Sequence, residues 1–158
     1  MHAIAVTENY IIIPETSYLR NPCDWITGSG AGYNSVDYNE KILGRFSVIP
    51  KENPENVQTI ETDTHFFITH HFNAFEDTTG VIQLDVINYD SPEPYTQFTY
   101  IHEAVFGTTS VKQELRRYSI DLNANTVSHK KLHPLPENDY IEFPNCNPNY
   151  AGKPYRYG

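Results

Sequence analysis

Between Thr64 and Ile87 the chain runs apolar and β-branched, breaks once at Asp77-Thr78-Thr79-Gly80, and runs apolar again as Val81-Ile82-Gln83-Leu84-Asp85-Val86-Ile87. Two such runs joined by four residues that include Asp and Gly specify a β-hairpin. A second hairpin follows the same logic: Leu115 to Leu122 pairs with Thr126 to Leu132 across Asn123-Ala124-Asn125. Val6 to Ile13 reads as a strand closed by Pro14, and Ile42 to Ile49 as another that stops at Pro50, with Lys51 to Pro54 as a turn. Tyr140 to Phe143 is a short strand ending at Pro144, and Pro22 to Tyr33, with Gly28, Gly30 and Gly32, reads as a loop. Only Tyr95 to Phe106 has a helical cast, and it lacks a cap. The expected class is therefore all-β: a sandwich, a barrel or part of a propeller.

Composition supports this and removes several functions. Twelve Tyr, eight Phe and one Trp stand beside a single Met in 158 residues, a mixture that suits strands and turns. No linker or second domain is visible. The formal charge of −9 has no basic stripe to offset it, since Arg116-Arg117 and Lys130-Lys131 are only pairs, so nucleic acid is excluded as a partner. An anionic membrane surface is disfavoured for the same reason, although an apolar patch could still touch lipid. No apolar run approaches a membrane span, and the first residues have neither the basic nor the apolar region of a secretory signal. Cys23 and Cys146 are far apart and outside any metal-binding spacing, so two reduced thiols and a cytoplasmic location are expected.

Seven histidines are present: His2, His65, His70, His71, His102, His129 and His133. None forms the HExxH or HxH pattern that places two imidazoles on one ion. His70 and His71 are adjacent, and on a regular strand they face opposite sides, so only one can enter a given site. Glu76, Asp77, Asp85, Glu137 and Glu142 could supply a glycosidase pair, but a solvated acidic face is the simpler account. No nucleophile elbow or phosphate loop is present.

Three segments together resemble the carotenoid cleavage oxygenase family, in the branch of the animal beta-carotene oxygenases and the retinoid isomerohydrolase. Met1-His2-Ala3-Ile4-Ala5-Val6-Thr7-Glu8-Asn9-Tyr10 and the following Ile11 to Glu15 are similar to that family's MHxFxxTxNYxVFxE stretch. Thr69-His70-His71-Phe72-Asn73-Ala74-Phe75-Glu76-Asp77 resembles FHHxNAYED. Ile141-Glu142-Phe143-Pro144, then Asn147-Pro148-Asn149-Tyr150-Ala151-Gly152-Lys153-Pro154-Tyr155-Arg156-Tyr157, resembles EFPxxNPxYxGKPYRY. The three occur in order and span the whole chain.

The resemblance implies a portion, two to three blades, of a seven-bladed β-propeller whose axis carries a non-haem Fe(II) on four histidines. Residues 1–158 would form a partial carotenoid oxygenase domain. By position, His2 matches one iron ligand and His70 a second, with His71 the fallback for the second. Glu142 matches the carboxylate that accepts a hydrogen bond from the imidazole at the His70 position, which fixes its tautomer and raises its basicity. His65, His102, His129 and His133 match no motif.

The implied reaction adds dioxygen across a conjugated double bond of a carotenoid or apocarotenoid and gives two carbonyl products. The partners are then a carotenoid or retinoid and O2, with peripheral membrane contact left open for a longer protein. An isomerohydrolase acting on retinyl esters at the same kind of iron site is the alternative within the family. Outside it stands a truncated, non-catalytic β-domain that binds an apolar ligand or a protein. Family members are much longer, so the resemblance implies a fragment, inactive alone, in which Met1 is an internal methionine. Asn9, Tyr10 and Asn73 are expected to fix turns, Glu76 and Asp77 to open the hairpin turn, and Arg156 to pair with an acid.

Overall fold

The computed structural model describes residues 3–20, 22–27, 36–39, 41–89, 113–133, 141 and 143–158. In chain order the strands are β1 (Ala5–Val6), β2 (Tyr10–Glu15), β3 (Tyr18–Arg20), β4 (Val36–Tyr38), β5 (Arg45–Pro50), β6 (Gln58–Glu61), β7 (Phe67–Glu76), β8 (Ile82–Tyr89), β9 (Gln113–Asp121) and β10 (Thr126–His133). A six-residue helix, α1 (Pro22–Thr27), lies between β3 and β4. One four-stranded sheet runs β1-β2-β5-β6 and a second β7-β8-β9-β10, while β3 and β4 form a separate hairpin. All pairings are antiparallel. Each four-stranded sheet is thus a meander in sequence order, the form of one propeller blade. Two blades are described, the lower end of the expected two to three.

Several boundaries differ from the sequence reading. Val6 to Ile13 is two strands rather than one, because Thr7 turns the chain: its amide donates to the Tyr10 carbonyl (2.9 Å) and its hydroxyl accepts from the Tyr10 amide (3.0 Å). Pro14 does not end β2. Backbone groups of Tyr10 point toward β1, so the alternation aims position 14 the same way, and β1 pairs only as far as Ile12. The absent amide hydrogen of Pro14 therefore costs the ladder nothing. The expected loop from Pro22 begins as α1, with proline in the first helical position, where its missing donor is harmless. Strand β6 went unread because Gln58-Thr59-Ile60-Glu61 places a single apolar residue inward. Ile141 and Phe143 are not in a strand, and Tyr95 to Phe106 lies outside the described residues.

The core fills the space between the two sheets. Ile12, Phe46, Val48 and Ile60 of the first sheet meet Ile68, Ala74, Ile82, Leu84, Val86, Tyr118 and Ile120 of the second. Phe46 stacks on Phe66 at 5.0 Å between ring centroids, and Tyr118 tilts against both. Full burial of each such side chain contributes about 1.5–3 kcal/mol. Gly44 makes this cluster possible, because a Cβ there would stand 2.3 Å from the Phe66 ring. Among the described residues, Phe46, Phe66, Phe67, Phe75, Tyr89 and Tyr118 are the buried aromatics.

Among the described residues, side-chain hydrogen bonds tie the sheets near β1 and near β6. Thr7, just after β1, donates its hydroxyl to Glu76 Oε1 at the end of β7 (2.6 Å). At the last strands, Gln58 Nε2 donates to the Leu122 carbonyl (2.9 Å) and to Asn125 Oδ1 (3.2 Å).

Candidate functional site

Strand β7 carries the one sequence-designated ligand that the structure describes, His70, and it is irregular there. Directly opposed residues run Phe67–Tyr89, Ile68–Asn88, His71–Val86 and Asn73–Asp85, so β7 gains one residue before His71 and one after it. The register passes over Thr69, His70 and Phe72. Two successive β-bulges of this kind bend a strand and re-aim its side chains, as they often do beside active sites. Alternation is lost as a result: positions 67–69 are all buried, 70–72 all half-buried, and 73–75 all buried.

The bulges separate the two histidines in a way the pleat alone does not. His71 opposes Val86, which belongs to the core between the sheets, so His71 shares that inter-sheet face. Burial, and then the like charge of His70, hold the His71 imidazole below its ordinary value, so it is neutral near pH 7. His70 lies on the bulge itself, and its ring packs against Phe143 with centroids 5.1 Å apart and planes at 47°. Phe143 is 81% exposed and has a left-handed φ of 56°.

Just past the bulges, three polar side chains pin the strand. Asn73, 4% exposed, donates through Nδ2 to the carbonyls of Tyr150 and Lys153 (2.9 Å each) and accepts from the Gly152 amide (2.9 Å). Gly152 adopts φ 76°, a conformation few other residues take at low cost, and a Cβ there would touch the backbone of Thr7 and Glu8 at 3.5–3.7 Å. Glu76 accepts from the Thr7 hydroxyl and the Asn9 amide (3.1 Å), so it locks the β1–β2 turn and is not directed at a histidine. Residues from all three motif segments thus converge on one end of β7.

Asp85 on β8 completes the anchorage. Its carboxylate is fully buried, accepts from Arg117 Nε and Nη2 (2.6 Å each), and accepts a third bond from the Tyr155 hydroxyl (2.6 Å). Burial and that bond push the Tyr155 phenol well above its ordinary value. Arg117 also lies over the Phe75 ring, which Tyr155 meets edge-on. The sequence reading weighed Asp85 only as a glycosidase carboxylate and missed this role. The available signal was a lone acid in the middle of the apolar run Val81 to Ile87, which a buried strand tolerates only with a cation beside it.

The remaining candidates fall elsewhere. His2, Glu142, Glu137 and His102 lie outside the described residues. His65 Nδ1 lies 3.1 Å from the Ile42 carbonyl and 3.0 Å from Ser17 Oγ, and His129 lies 3.7 Å from Asp63. Asp77 caps its own turn, accepting from the Thr79 amide and hydroxyl and the Val81 amide. Arg156 lies over the Tyr157 ring, and among the described residues its expected acidic partner is not found. Among those same residues, no three of His, Cys, Asp or Glu gather where one ion could be held. Cys23 and Cys146 form no disulfide.

Comparison with known proteins gives a consistent result. The model of the retinal pigment epithelial membrane protein family (RPE65) matches residues 1–158. The chain is 28% identical over 162 residues to apocarotenoid-15,15'-oxygenase of Synechocystis, covering 99% of this chain and 30% of that protein. It is 28% identical to mouse beta,beta-carotene 15,15'-dioxygenase, over 99% of this chain and 32% of the relative. It is 26% identical to lignostilbene-alpha,beta-dioxygenase isozyme III of Sphingomonas paucimobilis, over 100% of this chain and 31% of the relative. Among solved structures, cobalt-substituted Synechocystis apocarotenoid oxygenase superposes with a TM-score of 0.74 at 28% identity, covering 97% of this chain and 30% of the other. The chain therefore spans about a third of the length of the relatives it matches.

Proposed function

The chain belongs to the RPE65/carotenoid oxygenase family, and from that premise we propose that it is part of a non-haem iron dioxygenase that cleaves a conjugated double bond of a carotenoid or apocarotenoid to aldehydes. The observation that carries the reading is the double bulge of β7, which sets His70 apart from His71 on the inter-sheet face. His70 and His2 are the proposed Fe(II) ligands contributed by this chain, and Glu142 the carboxylate that orients the His70 ring. Further ligands come from segments beyond the third of a family protein that this chain represents.

The donor chemistry suits the metal. An imidazole beside a bulge is freed from the pleat and can be aimed at an ion, and neutral nitrogen ligands suit ferrous iron. Iron held there supplies the oxygen-activating chemistry. This chain's own residues supply position: Asn73, Glu76 and Asp85 fix the end of β7 against the C-terminal segment and the first sheet. The proposed partners are O2 and a carotenoid. The cleavage reading is preferred to retinyl ester isomerohydrolysis because the relatives named above are cleaving oxygenases. Among the described residues, no helix is long and apolar enough to cross a membrane.

The test uses the full-length protein with Fe(II), an apocarotenoid and oxygen. Aldehyde products and stoichiometric iron, both lost in His70→Ala and retained in His71→Gln, are the expected outcome. Isomerised retinol formed from a retinyl ester without cleavage would replace this reading with the alternative. Full activity in His70→Ala would end it.

A further inference from the structure

The geometry points to Phe143 as a positioning residue for His70: its ring holds the imidazole in the orientation needed for metal binding. The inference rests on the reading of His70 as a ligand and extends it to a residue that touches neither metal nor substrate in the argument. Three observations carry it. First, the register of β7 passes over His70, so the pleat that normally sets a side chain's direction does not set this one. Second, the Phe143 ring meets the His70 ring at a centroid distance of 5.1 Å and a tilt of 47°, within the range of favourable aromatic pairs.

Third, Phe143 stands at a conformational cost. Its φ of 56° is unusual for a bulky residue. The surrounding chain over-determines this conformation. Two residues earlier, Ile141 is gripped by Gln113, whose Oε1 accepts from the Ile141 amide (2.9 Å) while its Nε2 donates to the Ile141 carbonyl (3.0 Å). Gln113 Nε2 is itself 2.7 Å from the Tyr89 hydroxyl. Beyond Phe143, Asn73 and Asp85 clamp the segment through Tyr150 and Tyr155. A strained residue held from both sides and placed over a candidate ligand is the pattern of a functional constraint.

The experiment measures Co(II) affinity of the full-length protein by chelator competition, with melting temperature and the ring proton shifts of His70 in the metal-free protein. Phe143→Leu keeps apolar bulk and loses the ring; Phe143→Tyr keeps the ring. Phe143→Leu is expected to weaken Co(II) about tenfold, the low end for loss of an outer-shell partner. It is also expected to shift the His70 ring resonances and leave the melting temperature in place. Phe143→Tyr is expected to restore both affinity and shifts. A merely structural role would lower the melting temperature and affect Leu and Tyr variants alike, which overturns the inference. Unchanged affinity in Phe143→Leu beside a collapse in His70→Ala overturns it while leaving His70 a ligand. Unchanged affinity in both variants overturns the inference together with the reading beneath it.

Discussion

The two sheets share a strand order and differ in what holds them. The first opens with a two-residue strand, β1, and its inward residues are Ala5, Ile12, Phe46, Val48 and Ile60, all apolar. The second opens with the ten-residue β7 and buries Asn73, Asp85, Asn88 and Arg116 among its apolar residues. One sheet is assembled by packing, the other by packing plus satisfied polar pins. Apolar packing tolerates small shifts in direction, whereas a buried carboxylate with three fixed donors does not. The sheet that carries His70 is the one whose geometry is fixed by directional bonds, which suits the ligand role proposed for His70.

This contrast is open to direct attack by substitution, read as the change in unfolding free energy from denaturant titration. The largest effect is expected for Asp85→Asn. It leaves Arg117 without its carboxylate, and breaking a buried ion pair costs about 3 kcal/mol. A loss under about 1 kcal/mol would reduce the cluster to an ordinary surface pair and dissolve the contrast. Asn73→Ala comes next at about 2 kcal/mol, because the Gly152 amide and two carbonyls lose their partners together. Proteolysis within 143–158 should accelerate in that variant, and an unaltered cleavage rate would show that the segment is held by other means.

Gly44→Ala probes the packed sheet. Its Cβ collides with the Phe66 ring, and a core that relaxes around one extra methyl should lose about 1–2 kcal/mol. A cost above that of Asp85→Asn would reverse the ranking of the two sheets. The smallest effect concerns pH. His71 in the folded protein binds its proton less readily than the ordinary histidine value near 6.5. Below that value the unfolded chain therefore holds more protons, and stability falls as pH drops toward the depressed folded value. Above about pH 7 both states are neutral and the contribution vanishes. The wild type should lose stability on acidification relative to His71→Gln, and parallel pH profiles would place His71 in contact with water.

Turns and most strands were legible because their causes are local. Asp77-Thr78-Thr79-Gly80 turns the chain through bonds within five residues, and β8, β9 and β10 follow from alternation and β-branched content. Pro14 misled because the harm done by a missing donor depends on whether a neighbouring strand faces it, which local sequence does not state. The histidine pair misled differently: opposite faces follow only for a regular strand, and β7 has two more residues than the stretch of β8 it pairs with. The choice of His70 over His71 came from family likeness, and the bulges supply its physical support.

By itself the sequence determined an all-β chain and most of its turns, since alternation and turn chemistry are properties of neighbouring residues. Its three motifs also sufficed to identify the family. Tertiary structure alone decided that Asn73 meets Gly152, that Asp85 meets Arg117 and Tyr155, that Glu76 meets Thr7, and that Phe143 covers His70. Those pairings join residues 30 to 80 positions apart, where no local pattern constrains the partner and only the register and packing of two sheets bring the groups together.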